Sequence, residues 1–278
     1  MPELPEVEVS RLGLVPELTG RLITSAVSRT AQLRYPLPAN LGAQLTGARL
    51  ASIRRRGKYL LFDIENPDSR SSGTLILHLG MSGSLRIVKP DTSPQKHDHV
   101  DIAFGDKVLR LRDPRRFGAL LWHDNTTDIA QHPLIRVLGV EPLEAVFDGA
   151  WLHQHLHKRS GPIKPVLMDS HLVVGIGNIY AAESLFMSGI SPLRAAQRIS
   201  AQRCDRLAAA VKQTLAAAVA AGGSSVRDYV HSDGGAGCFQ LQCAVYEREG
   251  APCLGCGKPV RKIRQAGRST FYCPHCQK

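Results

Sequence analysis

Residues 251–278 read "APCLGCGKPVRKIRQAGRSTFYCPHCQK". Two Cys-x2-Cys pairs, Cys253 with Cys256 and Cys273 with Cys276, stand at the ends of this stretch with sixteen residues between them. Each pair presents two thiolates to one ion, and four thiolates complete the tetrahedral shell of Zn2+ in a closed structural site. Four unrelated reduced thiols would have no reason to keep this spacing. Lys258, Arg261, Lys262, Arg264 and Arg268 lie between the pairs with no acid among them. A metal-pinned hairpin of that charge is suited to touching phosphates. Zinc ribbons also serve protein contacts, so the tail argues for binding and is silent on catalysis.

The tail is a small unit of its own, and the rest of the chain must build separate cores. Upstream, "AQRCDRLAAAVKQTLAAAVAAGG" (201–223) and "NIYAAESLFMSGI" (178–190) are alanine-rich and helical, the first stopped by Gly222 and Gly223. From "TTDIAQHPL" to "EPLEAVFDG" (126–149) prolines accumulate and periodicity fades, as in a linker. Before it, short runs rich in branched and aromatic residues recur: "RLITSAV", "KYLLFDI", "TLILHLG", "SLRIV", "HVDIAF", "KVLRLR" and "GALLW". Turn signals such as "ENPDSRSSG" and "FGDK" separate them, so residues 20–122 are expected to form an antiparallel sandwich or barrel.

The chain opens "MPELPEVEVS". Proline is tolerated in a first helical turn and acids there complement the macrodipole, which accounts for Pro5, Glu6 and Glu8. Pro2 and Glu3 fit that account less well. If Met1 is removed, Pro2 carries a free secondary amine, and an amine beside a carboxylate can act as a nucleophile. Capping and chemistry both remain open at this point.

Three further stretches are equally two-sided. Gly175 and Gly177 in "VVGIGNIYAAES" (173–184) precede a helix and suit either a phosphate or a plain tight turn, with Tyr180 standing where a dinucleotide fingerprint needs a third glycine. "DPRRFGAL" (113–120) gives either a DNA-wedging arginine and aromatic or an Arg-Asp turn over a core phenylalanine. "RRRGK" (54–58) gives either a solvated strand edge or a phosphate track, and "HLGMSG" (78–83) sets a methionine in a glycine-flanked turn. The totals favour nucleic acid: 35 Lys and Arg against 24 Asp and Glu give a net charge of +11. No apolar run approaches the roughly 20 residues of a membrane span, and no basic-then-apolar leader is present. Seven cysteines, four of them in the finger, suit a reducing compartment, so a cytoplasmic location is expected.

Taken in order, "PELPEVE", "RRRGKYLL", "HLGMSGSLR", "KHDHVD", "DPRRFG", "IKPVLMD", "VVGIGNIYAAESL" and the terminal cysteine pairs resemble the formamidopyrimidine-DNA glycosylases, bacterial repair enzymes that act on 8-oxoguanine. The resemblance runs from Pro2 to Cys276. It implies an α+β multidomain fold: an N-terminal antiparallel β-sandwich with its helix (1–130), a linker (131–150), a helix-two-turns-helix DNA-binding domain (151–240) and a zinc finger (241–278). It implies a bifunctional DNA glycosylase and abasic-site lyase that removes oxidised purines and cuts the strand by β,δ-elimination. One structural Zn2+, duplex DNA held between the domains, a monomeric state and a nucleoid association through DNA follow from the same likeness.

By that resemblance Pro2 is the nucleophile, Glu3 handles protons at the sugar, Glu6 supports the site from the helix, and Lys58 lies near the damaged nucleotide. Met81, Arg115 and Phe117 resemble the residues that fill the gap left by an extruded base, and Lys58, His78, Asn178 and Arg268 the phosphate clamp. "VHSDGGAGCFQLQC" (230–243) falls where the family has a variable loop over the extruded base. Its Cys238 and Cys243 lack zinc-pair spacing and are read as incidental thiols. Two rivals stay open: an endonuclease VIII-like enzyme acting on oxidised pyrimidines, and a non-catalytic zinc-ribbon DNA-binding protein.

Overall fold

Helix α1 (Leu4–Leu18) begins the structure, a computed structural model that describes residues 2–66, 72–223 and 243–278. Pro5 occupies its first turn, where a missing N–H leaves no helical bond unmade, and Leu4, Val7, Leu14 and Leu18 bury one helical stripe. Eight strands follow: β1 (Ser25–Ser28), β2 (Arg49–Arg56), β3 (Tyr59–Glu65), β4 (Gly73–His78), β5 (Ser84–Val88), β6 (Asp98–Ala103), β7 (Val108–Arg112) and β8 (Ala119–His123). A short helix, α2 (Leu41–Leu45), lies between β1 and β2.

The strands make two antiparallel four-stranded sheets, ordered β1-β6-β7-β5 and β2-β3-β4-β8. Leu60, Phe62 and Ile64 of β3 and Leu75 and Leu77 of β4 share one apolar cluster with Val100 and Ile102 of β6 and Leu109 and Leu111 of β7. Alternate residues of these four strands thus face a common core between two separate sheets, which makes the unit a sandwich and not a barrel. The register brings the functional loops to one sheet end. Tyr59 pairs with His78 and His78 with Ala119, so the β2–β3 turn at Gly57 and Lys58, the loop after β4 and the loop before β8 emerge side by side.

By backbone contacts the chain divides into two units, one holding the described residues up to Arg136 with Gly222 and Gly223, the other Val137–Ala221 with the described residues from Cys243. The second unit contains α3 (Gly149–Leu156), α4 (Ile163–Leu167), α5 (Asn178–Met187), α6 (Ala201–Ala220) and the hairpin β9 (Arg261–Gln265) and β10 (Arg268–Tyr272). Phe147 is fully buried and Val140 bridges to Val173, so the proline-rich stretch packs into this unit from Val137 onward. Helix α6 buries Leu207, Val211, Leu215 and Ala218, and ends at Gly222 and Gly223, both in the left-handed region (φ 77° and 80°) that ordinary side chains avoid. Among the described residues no helix is long and apolar enough to cross a membrane.

The hairpin turns at Ala266 and Gly267, both at positive φ, which is the two-residue geometry that matches strand twist. Val245, Cys253, Val260, Phe271 and Cys273 cluster with Ala182 of α5 and seat the finger on the helix. The buried Glu183 carboxylate fastens the same join by accepting the N–H groups of Ala244, Val245 and Tyr246 at 2.7, 3.0 and 2.8 Å.

Candidate functional site

Helix α1 starts where it does because Glu3 is extended (φ −102°, ψ −170°) and closes a capping box with Glu6. Glu6 Oε2 accepts the Glu3 N–H at 2.7 Å, and the Glu3 carboxylate faces the Glu6 amide in return. Pro2 is buried, Glu3 is 2% exposed and Glu6 fully buried. A side chain at Gly223 would place its Cβ 3.3 Å from Glu6 Oε1, so glycine there leaves the carboxylate its room. The capping contacts hold the Pro2–Glu3 peptide still, so capping and chemistry are compatible uses of one stretch.

Glu8 stands apart from this pair. It accepts from Arg11 at 2.6 Å and from Arg55 at 2.8 Å. Burial pushes its pKa up, but the hydrogen bonds and charges of the two arginines overcome that and hold it below the usual carboxylate range. Arg54 likewise binds Asp63 through two bonds of 2.6 and 2.7 Å. Two arginines of "RRRGK" therefore serve carboxylates of their own unit, while Lys58, half-buried, sits in the turn beyond them.

His78, at the end of β4, packs its ring 4.8 Å from that of Tyr59. Its Nδ1 accepts the Gly80 N–H at 2.9 Å, so the neutral ring carries its proton on Nε2. Burial, aided by the charges of Lys58 and Arg34, lowers its pKa from the usual 6.5 to about 4. His78 is thus an uncharged donor throughout the neutral range.

The loops on either side expose what a core would hide. Met81 is 38% and Phe117 46% exposed, and the Arg115 guanidinium lies 4.7 Å from the Phe117 ring centroid. Phe117 is not the core phenylalanine of an ordinary turn. Ser82 and Asp113 join the two loops beneath these side chains.

In the second unit, Gly175 takes a positive φ (83°) and Gly177 caps α5, placing Asn178 at the first helical position. Asn178 Oδ1 accepts from Lys164 Nζ at 2.6 Å, and its Nδ2 donates to the Ser269 carbonyl at 3.0 Å. Lys164, 2% exposed, also donates to Thr270 Oγ1 at 2.7 Å and to Ser269 O at 3.2 Å. One buried cation thereby ties α4, α5 and the finger hairpin together, next to the exposed Arg268. Sequence reasoning did not single out Lys164; the signal was a lysine enclosed by apolar neighbours in "IKPVLMD".

The sulfurs of Cys253, Cys256, Cys273 and Cys276 all lie within 4.8 Å of one another, with Cys253 to Cys276 at 3.8 Å and Cys256 to Cys273 at 3.5 Å. A tetrahedral Zn2+ with bonds of about 2.3 Å needs sulfurs about 3.8 Å apart. Hydrogen bonding with Cys256, then burial and the other two sulfurs, pushes the Cys276 thiol up to about 12. A divalent cation among the four is the charge that ionises them together, so donor type and spacing fit zinc. Cys243 is buried outside this cluster, and Cys238, with the rest of residues 224–242, lies outside the described residues.

A sandwich led by a buried proline and paired carboxylates, joined to a helical unit with a basic four-cysteine finger, has the build of a zinc-finger DNA-repair enzyme. Comparison with known proteins makes this specific. Residues 1–120 match the formamidopyrimidine-DNA glycosylase N-terminal domain, residues 138–230 the helix-two-turns-helix domain of the same enzymes, and residues 250–278 the zinc finger found in them and in isoleucyl-tRNA synthetases. The chain is 58% identical to the formamidopyrimidine-DNA glycosylase of Dechloromonas aromatica and 54% to that of Thiobacillus denitrificans, over the whole of each. Among solved structures it resembles the MutM (Fpg) protein of Thermus thermophilus (TM-score 0.86, 38% identity, 99% of this chain and 98% of that one). It also resembles the Lactococcus lactis Fpg solved with DNA containing an abasic site (TM-score 0.90, 34% identity, 99% of each). The chain belongs to the formamidopyrimidine-DNA glycosylase family, and is a DNA glycosylase of base excision repair with a zinc finger.

Proposed function

We propose that this enzyme releases oxidised purines, 8-oxoguanine and formamidopyrimidines, from duplex DNA and then cuts the abasic strand through a covalent Pro2 adduct. The observation that carries the proposal is the buried capping box, which holds the Pro2–Glu3 peptide fixed with two carboxylates around it. Relatives in the family have been solved with DNA containing carbocyclic 8-oxo-G and with DNA containing an N7-benzyl-Fapy-dG, which supports the substrate class.

After removal of Met1, the Pro2 nitrogen lone pair forms a bond to C1′ as the bond from C1′ to the base breaks, the base leaving with a proton from solvent while the Pro2 N–H proton passes to Glu3. Opening of the C1′–O4′ bond, with Glu3 returning a proton to O4′, leaves an iminium that is cationic without further protonation. Loss of a C2′ proton then expels the 3′ phosphate, and a second elimination expels the 5′ phosphate. An unperturbed α-amino group has a pKa of about 8, so a neutral fraction exists at physiological pH. Glu6 orients Glu3, and Lys58 lies toward the nucleotide. Lys58 and neutral His78 in the first unit, and Asn178 and Arg268 in the second, bind backbone phosphates. Met81, Arg115 and Phe117 replace the extruded base, with the planar donors of Arg115 meeting the acceptor edge of the orphaned cytosine. Zinc, held by the four cysteines, folds the finger and takes no part in bond cleavage. The enzyme acts as a cytoplasmic monomer.

The test is base release and strand cutting on matched duplexes carrying 8-oxoguanine opposite cytosine, thymine glycol opposite adenine, or no lesion. Preference for the first supports the reading. Preference for thymine glycol would favour the endonuclease VIII-like alternative, and binding without cleavage the non-catalytic one.

A further inference from the structure

The exposed residues Met81, Arg115 and Phe117 sit on two loops, 79–83 and 113–118, that are joined by one buried carboxylate. Asp113 is fully buried, and each of its oxygens has a distinct partner: Oδ1 accepts from Ser82 Oγ at 2.7 Å and Oδ2 from the Gly118 N–H at 2.8 Å. Its carbonyl accepts the Arg116 N–H at 3.2 Å and lies 2.9 Å from His99 Nε2. Ser82 Oγ, having donated to Asp113, accepts the Arg115 N–H at 3.1 Å. The hydroxyl therefore couples the residue after Met81 to the backbone of Arg115, and the carboxylate couples both to the residue after Phe117.

The loops also interlock sterically. Gly80 has φ +64°, and a Cβ there would lie 2.4 Å from the Phe117 carbonyl carbon; one at Gly118 would lie 3.0 Å from Asp113 Oδ2. Arg116 takes a positive φ of 55°, which lets its neighbours Arg115 and Phe117 present their side chains together. We propose that Asp113, acting through Ser82, is a positioning residue that locks Met81, Arg115 and Phe117 into a single wedge, so that recognition of the base opposite the lesion depends on this buried pair. The proposal rests on the glycosylase reading above and assigns a role to two buried residues.

Asparagine at 113 keeps the shape but cannot serve both contacts. Its NH2 would face either the Gly118 N–H, donor against donor, or Ser82 Oγ, whose own proton then loses the acceptor that Asp113 Oδ1 provides. Alanine at 82 is the milder change, since it removes the relay and leaves the Asp113–Gly118 bond intact. The experiment measures single-turnover release of 8-oxoguanine opposite cytosine and opposite adenine by the full-length zinc-loaded enzyme. It compares the unmodified enzyme, Ser82→Ala, Asp113→Asn, Arg115→Ala and the Ser82→Ala/Arg115→Ala double variant.

Ser82→Ala is expected to lower the cytosine-over-adenine preference by about 3- to 10-fold, the range set by losing one or two buried hydrogen bonds. In the Arg115→Ala background the same change should alter the preference by less than about twofold, because the relay acts through Arg115. If Ser82→Ala slows both substrates equally and leaves the preference intact, the pair is merely structural and the proposal fails. Full additivity in the double variant also overturns it. If Asp113→Asn does not fold, Ser82→Ala and its cycle decide alone. Failure of the unmodified enzyme to release 8-oxoguanine would instead overturn the glycosylase reading itself.

Discussion

A neutral histidine among cations makes the site sensitive to pH. His78 keeps its proton on Nε2 because Nδ1 accepts from Gly80, and burial with Lys58 and Arg34 lowers its pKa to about 4. The unfolded chain, with an ordinary pKa near 6.5, binds more protons between these values, so stability is complete above pH 6.5 and falls as pH drops toward 4. The full loss is on the order of 3 kcal/mol. Urea unfolding from pH 7 to 4 should therefore show a steeper decline for the natural protein than for His78→Gln, by about one proton in the slope. Parallel curves would show that His78 titrates normally. Other site residues owe their state to partners far away in sequence. Ser82 meets Asp113 across 31 residues and Lys164 meets Thr270 across 106, which is why no local pattern revealed either pair.

Among the elements, the finger depends most on one interaction. Its hairpin has only two strands of five residues, too little to fold without a staple, so metal binding and folding are one equilibrium. Cys256→Ser should abolish stoichiometric zinc, unfold residues from about Cys253 onward and weaken binding to lesion-containing duplex, while the sandwich keeps its far-ultraviolet signature and its cooperative melt. Full zinc content with unchanged DNA affinity would contradict the assignment. The finger's four cysteines were legible, because cysteine spacing is a chemical signal that needs no partner elsewhere in the chain. Helix α6 was equally legible, bounded by two glycines. Strand β2 was not. A bulge between Leu50 and Ser52 puts Leu50 and Ile53, three residues apart, into the same core, so the period of two that marks a strand is broken and only its arginines stand out. Helix α2, five residues long, is too short to show a period.

For the molecule as a whole, a net charge of +11 supplies attraction to DNA without selecting a lesion. Ion pairs within the units take up part of the positive charge, as at Arg54 and Arg55, whereas Arg268 is exposed at the start of β10. Replacing Arg268 by alanine should weaken binding on damaged and undamaged duplex alike, and reduce the slope of log affinity against log salt by about 1. A selective loss on damaged DNA would assign it to lesion reading. In the proposed function charge serves capture, the wedge residues serve extrusion, and Pro2 makes the cut. Borohydride trapping on a duplex carrying 8-oxoguanine opposite cytosine tests that last claim most directly, with the adduct mapped by peptide mass. A covalent adduct on Pro2 of a chain lacking Met1 is the predicted result, lost when an uncleavable extension turns the amine into an amide. Undiminished trapping and strand cutting by the extended protein, or an adduct on Lys58, would contradict the account.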